Sequence, residues 1–430
     1  MTDLSTLEHL DDRVSRLWNG SMYVDLVHTE NGILRVGSMP DVSKAEAALG
    51  IHEEAVLIPE LEASQGGDNH TGEEFVQWCA QVFGGPARRY IGTAPPLNRV
   101  YRNLDEVFSY YFDRRRLSIV KKRWLKKWVV PVPVESVYED DPVRVRFRKG
   151  NILVYDQGRE IYDREGLRPP DDPRQLVEEA LGKVGRDTFS RDNLEITVVG
   201  SGNGFYGTSA SFIVRFGKHV IWIDPCAQPA HSLARIGVHW DEVTDVFITH
   251  NHEDHILGFS ACLQRKREKG ERLTLITAQS IYDFLKFQFR SLLTDPARYI
   301  DFVEVTPAKP LFLDGFELTT RWNHHFLPYG TLGLKISAGG RVLGISGDTK
   351  FDRDINRILQ REELTEAWFK KCELLFHEVD FDNPGGVHSY WKEVAAFQNV
   401  IRGRLFTYHT AHRETPPLPI ADEGRVYRLD

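Results

Sequence analysis

Four candidate metal ligands, His250, His252, Asp254 and His255, lie within the six consecutive positions His250-Asn251-His252-Glu253-Asp254-His255, directly after the apolar run Val246-Phe247-Ile248-Thr249. Such a run constrains the fold more than any other part of the chain. It requires a buried strand that ends at a short loop, and a pocket into which the loop can turn its polar groups. His250 and His252, two residues apart, can aim both imidazoles at one cation, while Asp254 and His255 can reach a second beside it. A single surface histidine needs no explanation, but H-x-H-x-D-H after a buried strand seldom arises by chance. A two-cation site needs more ligands than one loop supplies, so other strand ends must contribute.

At 430 residues the chain exceeds what one core usually organises, and two domains are expected. Gly166, Pro169, Pro170, Asp171, Asp172 and Pro173 interrupt regular structure near residues 164 to 192. This divides the chain into an amino-terminal α+β domain with its linker, residues 1–190, and a second domain, residues 191–430. A formal net charge of -8 argues against general coating of nucleic acid. Cys79, Cys226, Cys262 and Cys372 are far apart and form no C-x-x-C pair, which fits reduced, packed thiols. The acidic start of the chain does not resemble a secretory signal, and no apolar span is long enough for a membrane helix, so a cytoplasmic protein is expected.

In the first domain, spacing predicts helices over Leu4 to Leu17, over Thr71 to Phe83 and from Leu104 onward, and extended segments over Val143 to Arg148 and Ile152 to Tyr155. Beyond residue 193, short β-branched or aromatic segments are expected as strands at Leu194 to Val199, Ser211 to Phe216, Val220 to Ile223, Val246 to Thr249, Leu273 to Ile276, Phe302 to Val305, Phe316 to Arg321, Leu332 to Ile336, Val342 to Ile345, Leu374 to Phe376 and Leu405 to Thr407. Helices are expected at Ser280 to Phe287 and Tyr390 to Asn399. The strands read as mostly antiparallel, in a layered α/β domain.

Further candidate ligands follow these strands. His325, after Phe316 to Arg321, is a natural third imidazole for the first cation, with His324 as its competitor. Asp348, in Ser346-Gly347-Asp348-Thr349, is placed to bridge two cations, although alone it reads equally well as a turn residue or helix cap. His409 would complete the second set, with His412 as a substitute.

Together, Thr249-His250-Asn251-His252-Glu253-Asp254-His255-Ile256-Leu257-Gly258, His325, Asp348 and His409 resemble the metallo-β-lactamase superfamily. Asp224, in Trp222-Ile223-Asp224-Pro225, is similar to the aspartate that braces the metal loop in that family. The resemblance covers about residues 193 to 415. It implies a four-layer αβ/βα sandwich, with His250, His252 and His325 on one metal and Asp254, His255 and His409 on the other. Asp348 and a hydroxide would bridge them, the hydroxide serving as nucleophile. Two divalent metal ions are implied, zinc first, with manganese or iron as alternatives.

Leu374-Leu375-Phe376-His377-Glu378-Val379, with His388-Ser389, resembles the loops of the phosphodiesterase-like branch that includes tRNase Z and class II cyclic-nucleotide phosphodiesterases. There the residue corresponding to His388 lies near the substrate phosphate and can assist the leaving group. Asp254 and His388 are thus the catalytic candidates. Asp224, His377 and Glu378 are bracing or substrate-binding candidates, with His377 as apt to brace a loop as to touch substrate. Gly200-Ser201-Gly202-Asn203-Gly204 is similar to the branch's opening turn. Gly202, Gly204 and Gly207 also satisfy G-x-G-x-x-G, but Ser211 to Phe216 reads as a strand where a dinucleotide fingerprint needs a helix.

The protruding arm with which many tRNase Z enzymes hold tRNA has no room between His325 and Asp348. Arg114-Arg115-Arg116, Lys121-Lys122-Arg123 and Lys126-Lys127, interleaved with Trp124 and Trp128, could hold a phosphate backbone. The plainer reading, a solvated helix that packs both tryptophans into the core, is preferred. The expectation is a metal-dependent hydrolase, a phosphodiesterase on a nucleotide or other small-molecule phosphodiester. Nucleic acid is not the favoured partner, no membrane partner is expected, and homo-oligomer formation is left open. The alternatives are a di-iron redox protein on the same fold, which His252 disfavours, and a lactone or thioester hydrolase.

Overall fold

The computed structural model describes residues 5–19, 22–38, 42–60, 73, 86–111, 125–167, 193–203, 208–226, 229–256, 258–288, 295–325, 330–358, 360–361, 364–410 and 413–429. Its contacts divide the chain into two compact units, Met1–Glu179 and Ala180–Asp430.

In the first unit, seven strands form one sheet in sequence order: Ser5–His9, Val14–Asn19, Met22–Thr29, Gly32–Val36, Glu53–Leu57, Arg88–Thr93 and Val129–Val134. The first four pair antiparallel and the rest parallel. Pro131 and Pro133 lie on the edge strand, where a missing N–H interrupts no interior ladder. A four-stranded antiparallel sheet, Val137–Asp140 to Arg159–Asp163, packs Val145, Phe147, Ile152 and Val154 against Val27, Leu34, Ala55 and Leu57 of the larger sheet. Helix Ala94–Tyr111 brings Leu97, Val100 and Leu104 to another core with Val56, Tyr90 and Trp128.

The helix expected over Leu4 to Leu17 is instead two antiparallel strands. Asp11 turns the chain by accepting the N–H groups of Arg13 and Val14, and Val14 and Leu17 bury against neighbouring strands. The helix expected from Leu104 begins ten residues earlier, at Ala94. Most of Thr71 to Phe83, and the basic segment from Arg114 to Trp124, lie outside the described residues. Trp128 is buried, while Lys126 and Lys127 are exposed.

The second unit is a sandwich of two mixed sheets. One has seven strands in the order Ile300–Glu304, Leu273–Thr277, Asp245–Phe247, His219–Ile223, Ser211–Phe216, Leu194–Gly200 and Val426–Leu429. The other has six, Leu311–Leu313, Phe316–Trp322, Leu332–Ala338, Arg341–Ile345, Leu374–Glu378 and Arg404–Tyr408. Their inner faces meet through aromatic rings, Phe212 lying 5.3 Å from Phe376 and 5.0 Å from Tyr408, and Tyr427 5.2 Å from Phe376. Helices Phe259–Glu268 and Gln279–Gln288 bury Phe259, Leu263, Ile281, Phe284 and Leu285, while Phe369, Val394 and Phe397 pack with Leu375 and Leu405 of the six-stranded sheet. The fold is α/β, an αβ/βα metallo-β-lactamase sandwich.

The sheets are less antiparallel than expected. His219–Ile223 to Ile300–Glu304 run parallel, as do Arg341–Ile345, Leu374–Glu378 and Arg404–Tyr408. This places their carboxyl ends at a common edge, where open α/β sheets form binding crevices. The unanticipated strand Val426–Leu429 closes the seven-stranded sheet beside Leu194–Gly200. Among the described residues no helix is long and apolar enough to cross a membrane.

Phe212 should carry much of the contact between the sheets. Phe212→Ala is expected to lower the unfolding free energy by about 3–5 kcal/mol in urea titration. A loss below about 1 kcal/mol would show that the inner layer does not depend on it.

Candidate metal centre

Most of the candidate side chains stand at or just beyond the carboxyl end of a strand. Asp224 follows His219–Ile223, His250 to His255 follow Asp245–Phe247, and His325 follows Phe316–Trp322. Asp348 follows Arg341–Ile345, Glu378 ends Leu374–Glu378, and His409 follows Arg404–Tyr408. The sequence of loops therefore becomes one polar cluster at the shared edge.

Three nitrogens converge at one end of the cluster. His250 Nε2 lies 3.0 Å from His252 Nδ1, and His325 Nε2 lies 3.2 Å from that same atom. Ligands about 2.0–2.1 Å from a common zinc-like centre would be separated by only slightly more. At the other end, Asp254 Oδ2 lies 3.8 Å from His255 Nε2 and 3.5 Å from His409 Nε2. Asp348 lies between them. Its Oδ2 is 3.8 Å from His250 Nε2, 3.5 Å from His255 Nε2, 3.8 Å from His325 Nε2, 3.3 Å from His409 Nε2 and 4.0 Å from His388 Nδ1.

Neighbouring groups determine which ring nitrogens face inward. The buried Asp224 carboxylate accepts the Thr249 N–H at 2.7 Å, the Thr249 hydroxyl at 2.6 Å and His255 Nδ1–H at 2.8 Å. Thr249 Oγ1 in turn accepts His250 Nδ1–H at 2.9 Å. With Nδ1 of both rings held from outside, their Nε2 atoms face the cluster. Thr249 was legible only as the end of an apolar run; a hydroxyl immediately before the first histidine was the available signal for this role. Gly347 delivers Asp348 through a backbone turn with φ +59°, and a Cβ there would meet the Leu332 carbonyl oxygen at 2.1 Å.

Both oxygens of Asp348 and the Nε2 atoms of His255 and His409 are buried without hydrogen-bond partners. Left alone, such groups would each cost free energy. Burial and the neighbouring imidazoles hold the His250 and His252 pKa values well below the ordinary value. Burial also lowers His325, to about 4, although Asp348 opposes it. At His255 the carboxylates of Asp348, Asp254 and Asp224 outweigh burial and raise the pKa well above the ordinary value. Imidazoles and carboxylates gathered this closely make a donor set that fits divalent metal binding.

Glu378 lies behind this cluster. Its Oε1 accepts the N–H groups of Thr349 at 3.1 Å and Ser389 at 3.0 Å, and its Oε2 accepts His388 Nδ1–H at 3.0 Å. Burial lowers the His388 pKa, but Glu378, Asp348 and Asp254 outweigh it and raise the value to about 9. The hydroxyls of Ser389 and Ser346, which sequence reasoning did not single out, complete the support. Ser389 Oγ donates to the Thr349 carbonyl and accepts the Phe351 N–H, while Ser346 Oγ accepts the Glu378 N–H.

His377 is placed elsewhere. Fully buried, its ring lies tilted at 4.7 Å from that of Phe397, and its Nδ1 hydrogen-bonds to its neighbour's carbonyl, contacts of the bracing kind. His324 joins none of the metal-binding groups of described residues, and His412 lies outside them.

A family model described as Anti-Pycsar protein Apyc1 matches residues 194–423, more than half of the chain. The chain belongs to the Apyc1 family. Over 253 residues it is 25% identical to the cGMP-dependent 3',5'-cGMP phosphodiesterase A of Dictyostelium discoideum, covering 56% of this chain and 29% of that protein. Over 128 residues it is 30% identical to ribonuclease Z of Lactobacillus helveticus, covering 29% of this chain and 41% of the relative. This Apyc1-family chain thus spans less than half the length of either relative. Among solved structures it is similar to the metallo-β-lactamase fold protein YhfI of Bacillus subtilis, with TM-score 0.46 and 18% identity over 55% of this chain and all of that one. It is also similar to the short form of human tRNase Z, with TM-score 0.45 and 17% identity over 54% and 98% of the two chains.

His377 gives the second unit a defined response to acid. Burial lowers its pKa to about 3, whereas the unfolded chain titrates near 6.5. Its contribution is therefore intact above about pH 6.5 and falls by about 1.4 kcal/mol per pH unit as the solution is acidified toward pH 3. Urea titrations between pH 7 and 5 should show a shallower decline for His377→Gln than for the unsubstituted chain. Equal slopes would mean that His377 takes up its proton in the folded state.

Proposed function

We propose that this chain is a binuclear, divalent-metal-dependent phosphodiesterase acting on a small nucleotide phosphodiester, with 3',5'-cyclic nucleotides the first candidates. The observation that carries the reading is the Glu378–His388 pair beside Asp348. A carboxylate holds one nitrogen of an imidazole, and the ring stands 5.3 Å from His325 and 4.6 Å from His409, centroid to centroid. A metal centre alone would serve several hydrolytic reactions; an added proton donor suits one with a poor alkoxide leaving group. The match to a protein named as a 3',5'-cGMP phosphodiesterase supports the same class.

In this reading His250, His252 and His325 would hold one cation and Asp254, His255 and His409 the other, with Asp348 available to both. Zinc is the first candidate, with manganese or iron as alternatives. Two such cations neutralise phosphoryl oxygens and lower the pKa of a shared water. The chain's own groups do the rest. Asp224 holds His255 directly and His250 through Thr249, Asp254 faces the second cation's side of the cleft, and Glu378 keeps the His388 proton available for the departing sugar oxygen. A fixed framework of this kind limits reorganisation when charge develops on the phosphate.

Elemental analysis of protein purified without added metal, combined with assays on cyclic nucleotides, bis(p-nitrophenyl) phosphate, a lactone and a thioester, tests the class. Phosphodiester cleavage should be lost on chelation and restored by zinc or manganese. Turnover of the lactone or thioester without phosphodiester cleavage would overturn the assignment, as would an oxygen-sensitive iron absorption band without hydrolysis.

His388→Ala should lower kcat for a cyclic nucleotide by about 10²–10⁴. The loss should be much smaller for bis(p-nitrophenyl) phosphate, whose leaving group needs no proton. Equal losses on both substrates would remove His388 from leaving-group protonation.

A further inference from the structure

His409 has φ +59°, in the left-handed region that residues with a side chain seldom occupy. Such a conformation persists where surrounding contacts impose it. Before it, Tyr408 is held by its strand and by the Val379 N–H, which its carbonyl accepts at 3.1 Å. After it, the Thr410 N–H donates to the Ser201 carbonyl at 3.1 Å. The backbone of Ser201 is thus one of the two supports of the His409 turn.

Ser201 is held from its other side by two residues outside the metal-binding groups. Its N–H donates to Glu423 Oε1 at 3.1 Å, and Glu423 Oε2 pairs with the guanidinium of Arg235, the last residue of helix Pro229–Arg235. The same guanidinium donates to the Val199 carbonyl and, at 3.0 Å, to Thr208 Oγ1. The Gly202 N–H donates to the Thr208 carbonyl at 2.8 Å. One ion pair therefore contacts both arms of the glycine turn. Gly200 leaves that turn no slack, since a Cβ there would lie 2.2 Å from the Ser209 carbonyl oxygen.

We infer that Arg235 and Glu423 are positioning residues for His409, acting through the backbone of Ser201 to hold the second cation's imidazole in place. This rests on the two-cation reading under Proposed function. The pair is partly exposed, with side-chain exposures of 28% and 16%, so its Coulombic attraction is modest. Its effect lies in geometry: a forked cation and a carboxylate fix several backbone groups at once. His250, His252 and His325 stand on other loops and do not depend on it.

Stepwise zinc titration of the metal-free full chain against a competing chelator tests this. The unsubstituted chain should bind two equivalents. Glu423→Ala and Arg235→Ala should bind the first with unchanged affinity and the second at least tenfold more weakly, in the range found when groups supporting a metal ligand are removed. Glu423→Gln, which keeps an acceptor for the Ser201 N–H, should recover most of the difference. The first equivalent reports whether each variant is folded. Unchanged affinity for both equivalents, or equal weakening of both, would overturn the inference. Fewer than two equivalents in the unsubstituted chain would overturn the two-cation reading and this inference with it.

Discussion

One oxygen of Asp348 lies within 4.0 Å of five imidazoles, and the geometry around it depends on that convergence. A buried carboxylate without hydrogen-bond partners is costly, and of the imidazoles around it His250 and His325 are held in the neutral form while the pKa values of His255 and His388 are raised. Bound cations, as proposed, would satisfy the carboxylate: the same group that would burden an apolar core would become the shared ligand of a charged centre, and coordination would offset the cost of desolvating the polar groups.

Such a centre has to be held open while it is empty, and the holding groups are arranged in layers. Asp224 restrains Thr249 and His255, Thr249 restrains His250, and Glu378 ties Thr349 and Ser389 to His388. These donors and acceptors lie at the ends of parallel strands, whose relative positions are fixed by ladders and by the aromatic contacts between the two sheets. The apolar layer thereby controls distances among polar groups that hardly touch it. That is how a sheet scaffold gives a preorganised site.

The second unit was legible because its signals were local. A dense ligand run after a buried strand marks a loop, and four later strands led to further candidate residues, so residues distant in sequence could be gathered without knowing the strand order. The parallel pairing was not legible, since periodicity identifies a strand without its neighbour. The first unit was harder for the same reason. Leu4 to Leu17 has spacing that satisfies a helix, yet Asp11 caps a turn and the flanking residues bury against strands that begin at Met22. Tertiary pairing overrode a weak local preference. Arg235 and Glu423 carried no sequence signal at all, because 188 positions separate them.

His377 and Glu378 show how one structural fact can separate two roles that sequence leaves equal. Side chains that follow one another on a strand point to opposite faces. On Leu374–Glu378 this sends His377 among Phe369 and Phe397, while Glu378 meets Thr349, His388 and Ser389 at the metal-facing edge. Histidine would ordinarily attract the functional assignment, as it titrates near neutrality and binds metals. Here packing keeps it neutral, and the neighbouring carboxylate acquires the contact that raises the pKa of a different histidine, His388. A shift of register by one residue would exchange the two side chains, placing a carboxylate among aromatic rings and leaving His388 without its partner. The strand's register thus protects the core and the Glu378–His388 pair together.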